Sequence, residues 1–275
     1  MPINEAATRL AAFIGIFIAM ALWEAASPRR MRSHSRIRRW PSNLAISALN
    51  AASLRMAFGA EAFGLALVAQ REHWGLFNHL PIPHPLAIIA SFVLLDLGIC
   101  LQHVMFHAVP ALWRVHRMHH TDLDLDVTSG VRFHPIEIVI SMLIKLGLVA
   151  SLGTPAAAVL TFEVALNATS MFNHANLYLP AKLDRYLRLA IVTPDMHRVH
   201  HSIVVAETNS NFGFNLSLWD RLLRTYRDQP AAGHDAMTIG IEHFRDPREL
   251  RLDRMLSQPF HGDAGRYPIG RRRAA

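Results

Sequence analysis

Eight of the seventeen histidines in this 275-residue chain fall into three clusters. They are His103 and His107, spaced H-x3-H; His116, His119 and His120, spaced H-x2-H-H; and His197, His200 and His201, in the same spacing again. On a helix, positions i, i+3 and i+4 share a face, so each cluster aims its imidazoles at one point. Neutral imidazole is a ligand for iron, zinc, copper and nickel. Eight such donors are too many for one ion and suit two. A lone histidine is ordinarily a surface or hydrogen-bonded core residue. Two copies of H-x2-H-H, by contrast, arise in only roughly 0.2% of shuffled chains at this histidine content.

Weaker candidates surround the clusters. His174, within Asn173-His174-Ala175-Asn176, is read as a ninth ligand. His134, just before Pro135, is a ligand or, as its position favours, a turn or cap residue. Asp195, two residues before the last cluster, suits holding a ligand's second ring nitrogen or capping a helix. Asp96 lies about two helical turns before His103; an acid inside a membrane is a functional candidate, and a partnership with Arg55 explains it equally well. His34, His73, His79, His84, His234, His243 and His261 show no ligand spacing. No separate catalytic side chain stands out, so the chemistry is assigned to the dimetal centre itself.

The elements that would position these groups are apolar. Half of the residues (51%) are hydrophobic and 18% charged, against about a quarter charged in a soluble domain. A disordered chain has the opposite balance. The single cysteine, Cys100, excludes an intrachain disulfide framework and Cys-ligated zinc or iron–sulfur sites. Four regions are apolar enough to enter a bilayer, where a spanning helix needs about 20 residues: Leu10–Ala26, Leu44–Ala69, Pro85–His107 and Ile136–Phe172. The last is split by Gly153-Thr154-Pro155, which suits a helical hairpin or a re-entrant segment. The expected fold is therefore an all-α transmembrane bundle of four or five passages, with a cytosolic helical cap carrying the dimetal site. Residues 1–84 read as a membrane anchor, 85–230 as the catalytic domain and 231–275 as a basic tail. Within that tail, Arg245–Arg254 suits an amphipathic helix on the membrane surface, and Gly262–Ala275 a frayed end.

Arginines orient the bundle. Six lie between Pro28 and Arg39, only Arg71 lies between Gln70 and His84, and twelve follow residue 196. Short basic loops stay cytoplasmic. Five passages with the N-terminus outside satisfy all three segments and put every histidine cluster on the cytoplasmic face, an inner membrane if the source is bacterial. A cleaved signal peptide is the rival reading of the first region, opposed by the basic block that follows it. The net charge of +7 is read as loop retention and contact with anionic lipid headgroups. Nucleic acid is set aside, because basic and aromatic residues are not interleaved as such binding needs.

A pair of metals held only by imidazole suggests oxygen chemistry on a buried apolar substrate, although zinc, which activates water for hydrolysis, uses the same ligand type. A lipid entering laterally at the bundle's cytoplasmic edge offers C–H bonds. The sequence resembles the membrane-bound fatty acid hydroxylase superfamily, which includes sterol desaturases. The resemblance rests on the three clusters in order, Arg132-Phe133-His134-Pro135-Ile136-Glu137, Asn173-His174-Ala175-Asn176, Asp195 to Ser202, Asn209 to Phe214 and Leu218 to Tyr226, together covering about residues 85–230. It implies a helical membrane bundle and a histidine-bound pair of iron ions. It also implies O2-dependent hydroxylation or desaturation of a lipid, with the eight clustered histidines and His174 as ligands. Family members often carry a further histidine where this chain has Ser170. With no nucleotide fingerprint or haem domain in the chain, electrons would come from a separate ferredoxin- or cytochrome-like carrier with its reductase, an acidic carrier being drawn to the basic face. A zinc-dependent membrane hydrolase and a metal transporter are the alternatives. Against the latter, transporters hold their ions near the bilayer midplane.

Overall fold

A computed structural model describes residues 4–59 and 61–270. It is all-helical: among the described residues the only extended pairings are three isolated bridges, Pro28 with Leu177, Ile191 with Leu216 and Ser202 with Ile239. The bundle comprises α1 (Glu5–Ala26), α2 (Arg36–Phe58), α3 (Glu61–Arg71), α4 (His84–Ala108), α6 (Pro135–Leu152) and α7 (Ala156–His174), with α5 (Pro110–His120) turning back beneath α4. Four segments among the described residues are long and apolar enough to cross a membrane: α1, the stretch 36–78, α4 and α6. By that measure the chain is an integral membrane protein.

Helix boundaries follow local chemistry. Asn4 caps α1 by accepting the Ala7 N–H at 3.1 Å, and prolines open α5 and α6, where a missing N–H costs nothing. On α1, Leu10, Ile14, Ile18 and Leu22 form an exposed stripe four residues apart, a lipid-facing surface. The opposite face, with Phe13, Phe17 and Met20, packs against α7 and the loop around Val127 and Val131. Leu95, Ile99, Met142, Val159 and Phe162 build the core where α4, α6 and α7 meet.

The hairpin expected within 136–172 is present, with α6 ending on Gly153 in the left-handed conformation (φ 65°). Glycine is required there and at Gly75 (φ 84°), because a Cβ on Gly75 would fall 2.0 Å from the Gly153 nitrogen. This contact closes the end of the bundle opposite the histidines. The second apolar region is not one continuous span: α2 stops at Gly59 (φ 61°) and a separate helix follows. Its first turns, from Arg36, reach beyond the apolar stretch to the histidine-bearing end, where Arg39 and Asn43 are buried. Inside the bundle Glu163 of α7 pairs with Lys145 of α6 and, at 2.5 Å, with Arg9 of α1. This tie was not legible in the sequence.

The cap contains α8 (Ala181–Leu187), α9 (Pro194–His200), α10 (Val205–Thr208), α11 (Leu218–Leu222), α12 (Gly233–Ala236) and α13 (Leu252–Ser257). Beyond residue 230 the expectations need correction. Arg245–Arg254 is not one amphipathic helix: it holds a 3-10 turn at Pro247–Leu250 and the start of α13, with Leu250 and Met255 buried. Residues 262–270 do not fray, since Ala264 and Tyr267 are buried against Trp113 and Ile241. Residues 271–275 lie outside the described residues. The physical reason is that Met237, Ile239, Ile241, Leu250, Met255 and Tyr267 have too little periodicity to read as an element, yet each is buried.

Candidate metal centre

The end of α4, all of α5, the end of α7 and α9 converge, and their histidines form two buried groups. His103, His107, His116, His120 and His200 make the first; His119, His174, His197 and His201 make the second. Within each group the ligand atoms lie within 4.8 Å of one another. The groups share a wall, with the His120 ring stacked on His201 at 4.6 Å and His197 on His200 at 5.1 Å. All nine histidines singled out from sequence are therefore brought together.

Backbone and side-chain acceptors fix the rings. Nδ1 of His103 donates to the Phe212 carbonyl at 2.9 Å, Nδ1 of His200 to the Ser210 carbonyl at 2.7 Å, and Nδ1 of His107 to Asn209 Oδ1 at 3.1 Å. His116 Nδ1 donates to Glu137 Oε1 at 2.7 Å. In the second group, His119 Nδ1 donates to the Arg132 carbonyl at 3.1 Å and His174 Nδ1 to the Ser170 carbonyl at 2.7 Å. A carbonyl only accepts, so the proton of each such ring sits on Nδ1 and Nε2 is a bare lone pair. His119 Nε2 and His174 Nε2 nonetheless face each other at 3.1 Å. Two lone pairs cannot hydrogen-bond; a cation between them can hold both.

That cation is not a proton. Burial away from water, reinforced by neighbouring rings, pushes the pKa values of His119, His120, His197 and His201 well below the usual imidazole range and that of His200 down to about 3. A metal fits the spacing. Metal–imidazole bonds of about 2.0–2.1 Å at right angles put neighbouring nitrogens about 3 Å apart. The facing pairs His120 with His107 and with His116 lie at 3.2 Å, and His174 with His197 and with His201 at 3.1 Å. His103 Nε2 and His200 Nε2 are buried with no hydrogen-bond partner in the protein. Such orphaned acceptors are what a metal site leaves when described without its ion.

The scaffold beneath the rings is ionic. Arg39, fully buried, grips Asp122 through two 2.7 Å hydrogen bonds and Asp126 through one of 2.5 Å. Arg132 donates to the Met118 carbonyl, Thr121 Oγ1 and Asn43 Oδ1, while its own carbonyl holds His119. The loop from Thr121 to His134 is thus clamped on both sides of the second group. Gly130 lets α7 sit on this loop, since a Cβ there would come within 2.5 Å of the Ser170 carbonyl oxygen. On the other side Asp220 accepts the Phe212 and Gly213 N–H groups at 2.6 and 2.9 Å, shaping the turn whose Phe212 carbonyl positions His103. Aromatic rings complete the wall: Phe133 stacks on His119 at 4.5 Å, Trp113 lies 4.8 Å from His107, and Tyr267 stacks on Trp113 at 5.5 Å.

The weaker candidates go elsewhere. His134 is in neither group: it caps α6, accepting the Ile136 N–H on Nδ1 at 3.2 Å, and its Nε2 donates to the Leu256 carbonyl at 3.2 Å. Asp195 holds no ligand ring; it pairs with Arg29 at 3.1 Å and with Arg198, and the cap of α9 is Thr193. Asp96 does not meet Arg55. It accepts from Asn215, the Leu216 N–H and Trp219 Nε1, the last at 2.8 Å. The basic segment read as lipid-facing is partly internal, Arg29 pairing with Asp195 and Asp235, Arg36 with Glu24 and Arg39 with Asp122. Sequence reasoning gave no role to Glu137, Asn209, Asp122, Arg39 or Arg132. Arg132, Glu137 and Asn209 carried a signal, lying in segments already singled out, whereas Arg39 and Asp122 carried none.

A sequence profile of the fatty acid hydroxylase family matches residues 88–225, half of the chain. Ornithine lipid hydroxylase OlsE of Rhizobium tropici is 32% identical over 191 residues, covering 69% of this chain and 55% of that protein. Alkylglycerol monooxygenase of Homo sapiens is 27% identical over 173 residues, 62% of this chain and 36% of that protein. The Danio rerio alkylglycerol monooxygenase is 27% identical over 190 residues, 68% and 40% respectively. The chain thus spans about half or less of the length of these relatives. No solved structure matches it. The profile match takes in all nine imidazoles and the carbonyls that orient them, and the chain belongs to the fatty acid hydroxylase family.

Proposed function

We propose that this protein is a non-haem di-iron enzyme that hydroxylates a lipid, using O2 and electrons from a separate protein, with its metal centre on the cytoplasmic face of the membrane. The observation that carries the reading is the pair of facing lone pairs on His119 and His174 inside a nine-imidazole cage. Iron is favoured over zinc by the first group: five imidazoles exceed the three or four protein ligands zinc commonly takes. His103, His107, His116, His120 and His200 would hold one ion, and His119, His174, His197 and His201 the other. When bound, redox-active iron supplies the O2-dependent oxidising power needed to break an unactivated C–H bond.

The chain's own residues do the rest. The Nδ1 acceptors lock the rings of His103, His107, His116, His119, His174 and His200 in the tautomer that keeps Nε2 free, and Glu137 adds negative charge behind His116. Phe133 and Phe214 belong both to the bundle's apolar core and to the wall of the site. An alkyl chain following that core reaches the centre from the lipid side while Trp113 and Tyr267 exclude water from the other. The named relatives act on an ornithine lipid and on alkylglycerols, so a membrane lipid with long alkyl chains is the substrate class. A ferredoxin- or cytochrome-like carrier with its reductase supplies the electrons, an acidic carrier being drawn to the basic face.

The test is to incubate purified protein in nanodiscs with host lipid extract, O2, a reductase and a carrier, and to read lipid masses. A gain of 16 Da in a lipid class, dependent on O2 and reductant and lost in His120→Ala, is the expected outcome. Ester cleavage without reductant would instead establish the hydrolase.

A further inference from the structure

Two short cap helices present apolar side chains outward. Tyr186 on α8, Leu189 just after it and Leu222 on α11 are each more than half exposed, at 62%, 64% and 64%. Lys182, Arg185, Arg221 and Arg224 are exposed among them. Their level in the molecule is set by Trp219, whose indole N–H donates to Asp96. Asp96 lies twelve residues short of the last residue of α4, about 18 Å at 1.5 Å per residue. The segment is therefore tied to the flank of a spanning helix, not beyond its end. Apolar side chains interleaved with arginine and lysine are the composition of a surface that meets lipid headgroups.

Between these two helices and the start of α9 lies a cavity of about 560 Å³, within the range of small-ligand sites, about 300–1,000 Å³. Its three lining carboxylates are each paired with arginine. Asp184 and Asp228 pair with Arg188, and Asp195 with Arg29 and Arg198. Arg185 and Arg221 also line it, and neither has an ion-pair partner among the described residues. The Arg221 guanidinium rests over the Tyr226 ring at 4.0 Å, which fixes its plane. His234 also lines the cavity. Its side chain is 4% exposed, and neither ring nitrogen has a hydrogen-bond partner, the Asp195 carboxylate lying 3.7 Å from Nε2. Burial lowers the His234 pKa to about 4, so the ring is neutral and offers one N–H.

We propose that this cavity binds a phosphate group, held by the guanidinium groups of Arg185 and Arg221 with the His234 ring N–H as a further donor. Two guanidinium groups without a carboxylate partner, of which Arg221 keeps one bond to the Arg188 carbonyl at 2.9 Å, and a neutral donor match the charge and the oxygen geometry of a phosphate. The space beyond that contact accommodates what the phosphate is attached to. Two sources carry this chemistry, a phospholipid headgroup from the adjoining leaflet and a free phosphate compound. None of the nine clustered histidines lines the cavity, so the inference stands apart from the metal centre.

Thermal unfolding of the full chain in a neutral detergent tests it. The probes are dihexanoyl phosphatidic acid, glycerol 3-phosphate and inorganic phosphate, with dihexanoyl phosphatidylcholine as a bulky, net-neutral control. A saturable rise in Tm with dihexanoyl phosphatidic acid is expected. In the double variant Arg185→Gln, Arg221→Gln the affinity should fall about tenfold or more, each shift being read against that variant's own Tm without probe. A rise confined to the phosphatidic acid assigns the site to a lipid headgroup; an equal rise with glycerol 3-phosphate or inorganic phosphate assigns it to a free phosphate compound. No saturable rise with any of the three phosphates, or an equal rise in the double variant, would overturn the proposal.

Discussion

Glu137 Oε1 accepts the Nδ1 proton of His116 at 2.7 Å, with both side chains buried. A carboxylate behind an imidazole fixes the tautomer and raises the ring's basicity toward a metal. Glu137→Ala should lower the affinity of the first group for iron about 10–100-fold, and Glu137→Gln should lose less, because its amide oxygen still accepts from Nδ1. Competition with a calibrated chelator measures both; equal affinity in the wild type and the alanine variant would show that Glu137 does not tune the site.

Arg39 joins α2 to the loop beneath the second histidine group. Removing one partner of a buried pair leaves the other charge stranded and costs about 3–5 kcal/mol. Arg39→Met should therefore destabilise the protein by about that much, while a compensating Arg39→Met, Asp122→Asn, Asp126→Asn triple variant should recover part of the loss. Chemical denaturation in detergent reads the difference. A single variant as stable as the wild type would mean that the acids are held by other groups.

The depressed pKa values predict acid sensitivity of the metal-free protein. Above about pH 6.5 His119, His120, His197, His200 and His201 are neutral in folded and unfolded chains alike, and contribute nothing to pH dependence. Below it the unfolded chain takes up protons that the folded cage refuses, so stability falls as pH falls, down to the folded-state values, which for His200 is about 3. Each such ring contributes at most about 1.4 kcal/mol per pH unit in that window. Tm of the metal-free protein should drop steadily from about pH 6.5 to about pH 5, and metal loading should flatten the curve by competing with protons. A flat metal-free profile would contradict the buried, neutral cage.

Much of this was legible because periodicity and composition are strong signals. The H-x2-H-H spacings depend only on helical geometry, and the apolar stretches only on bilayer thickness. His174 was readable from its place at the return of the hairpin. Contacts between distant segments were not. Arg39 reads as one of six arginines in a basic loop, and nothing local says that it turns inward to Asp122, 83 residues away. Tyr267 sits in a polar, glycine-containing tail, yet it donates to the Ile203 carbonyl and stacks on Trp113. The carbonyls of Phe212, Ser210 and Arg132 that orient the rings carry no side-chain signature, since any residue type supplies one. His134 misled for the opposite reason: its ligand-type side chain caps a helix.

The account rests most directly on metal content. Elemental analysis of protein purified from cells supplied with iron should give about two iron atoms per chain, falling to about one in the double variant His119→Ala, His174→Ala, which dismantles only the second group. Two irons retained in that variant, or a wild-type protein that carries zinc or no metal after iron-replete growth, would contradict it.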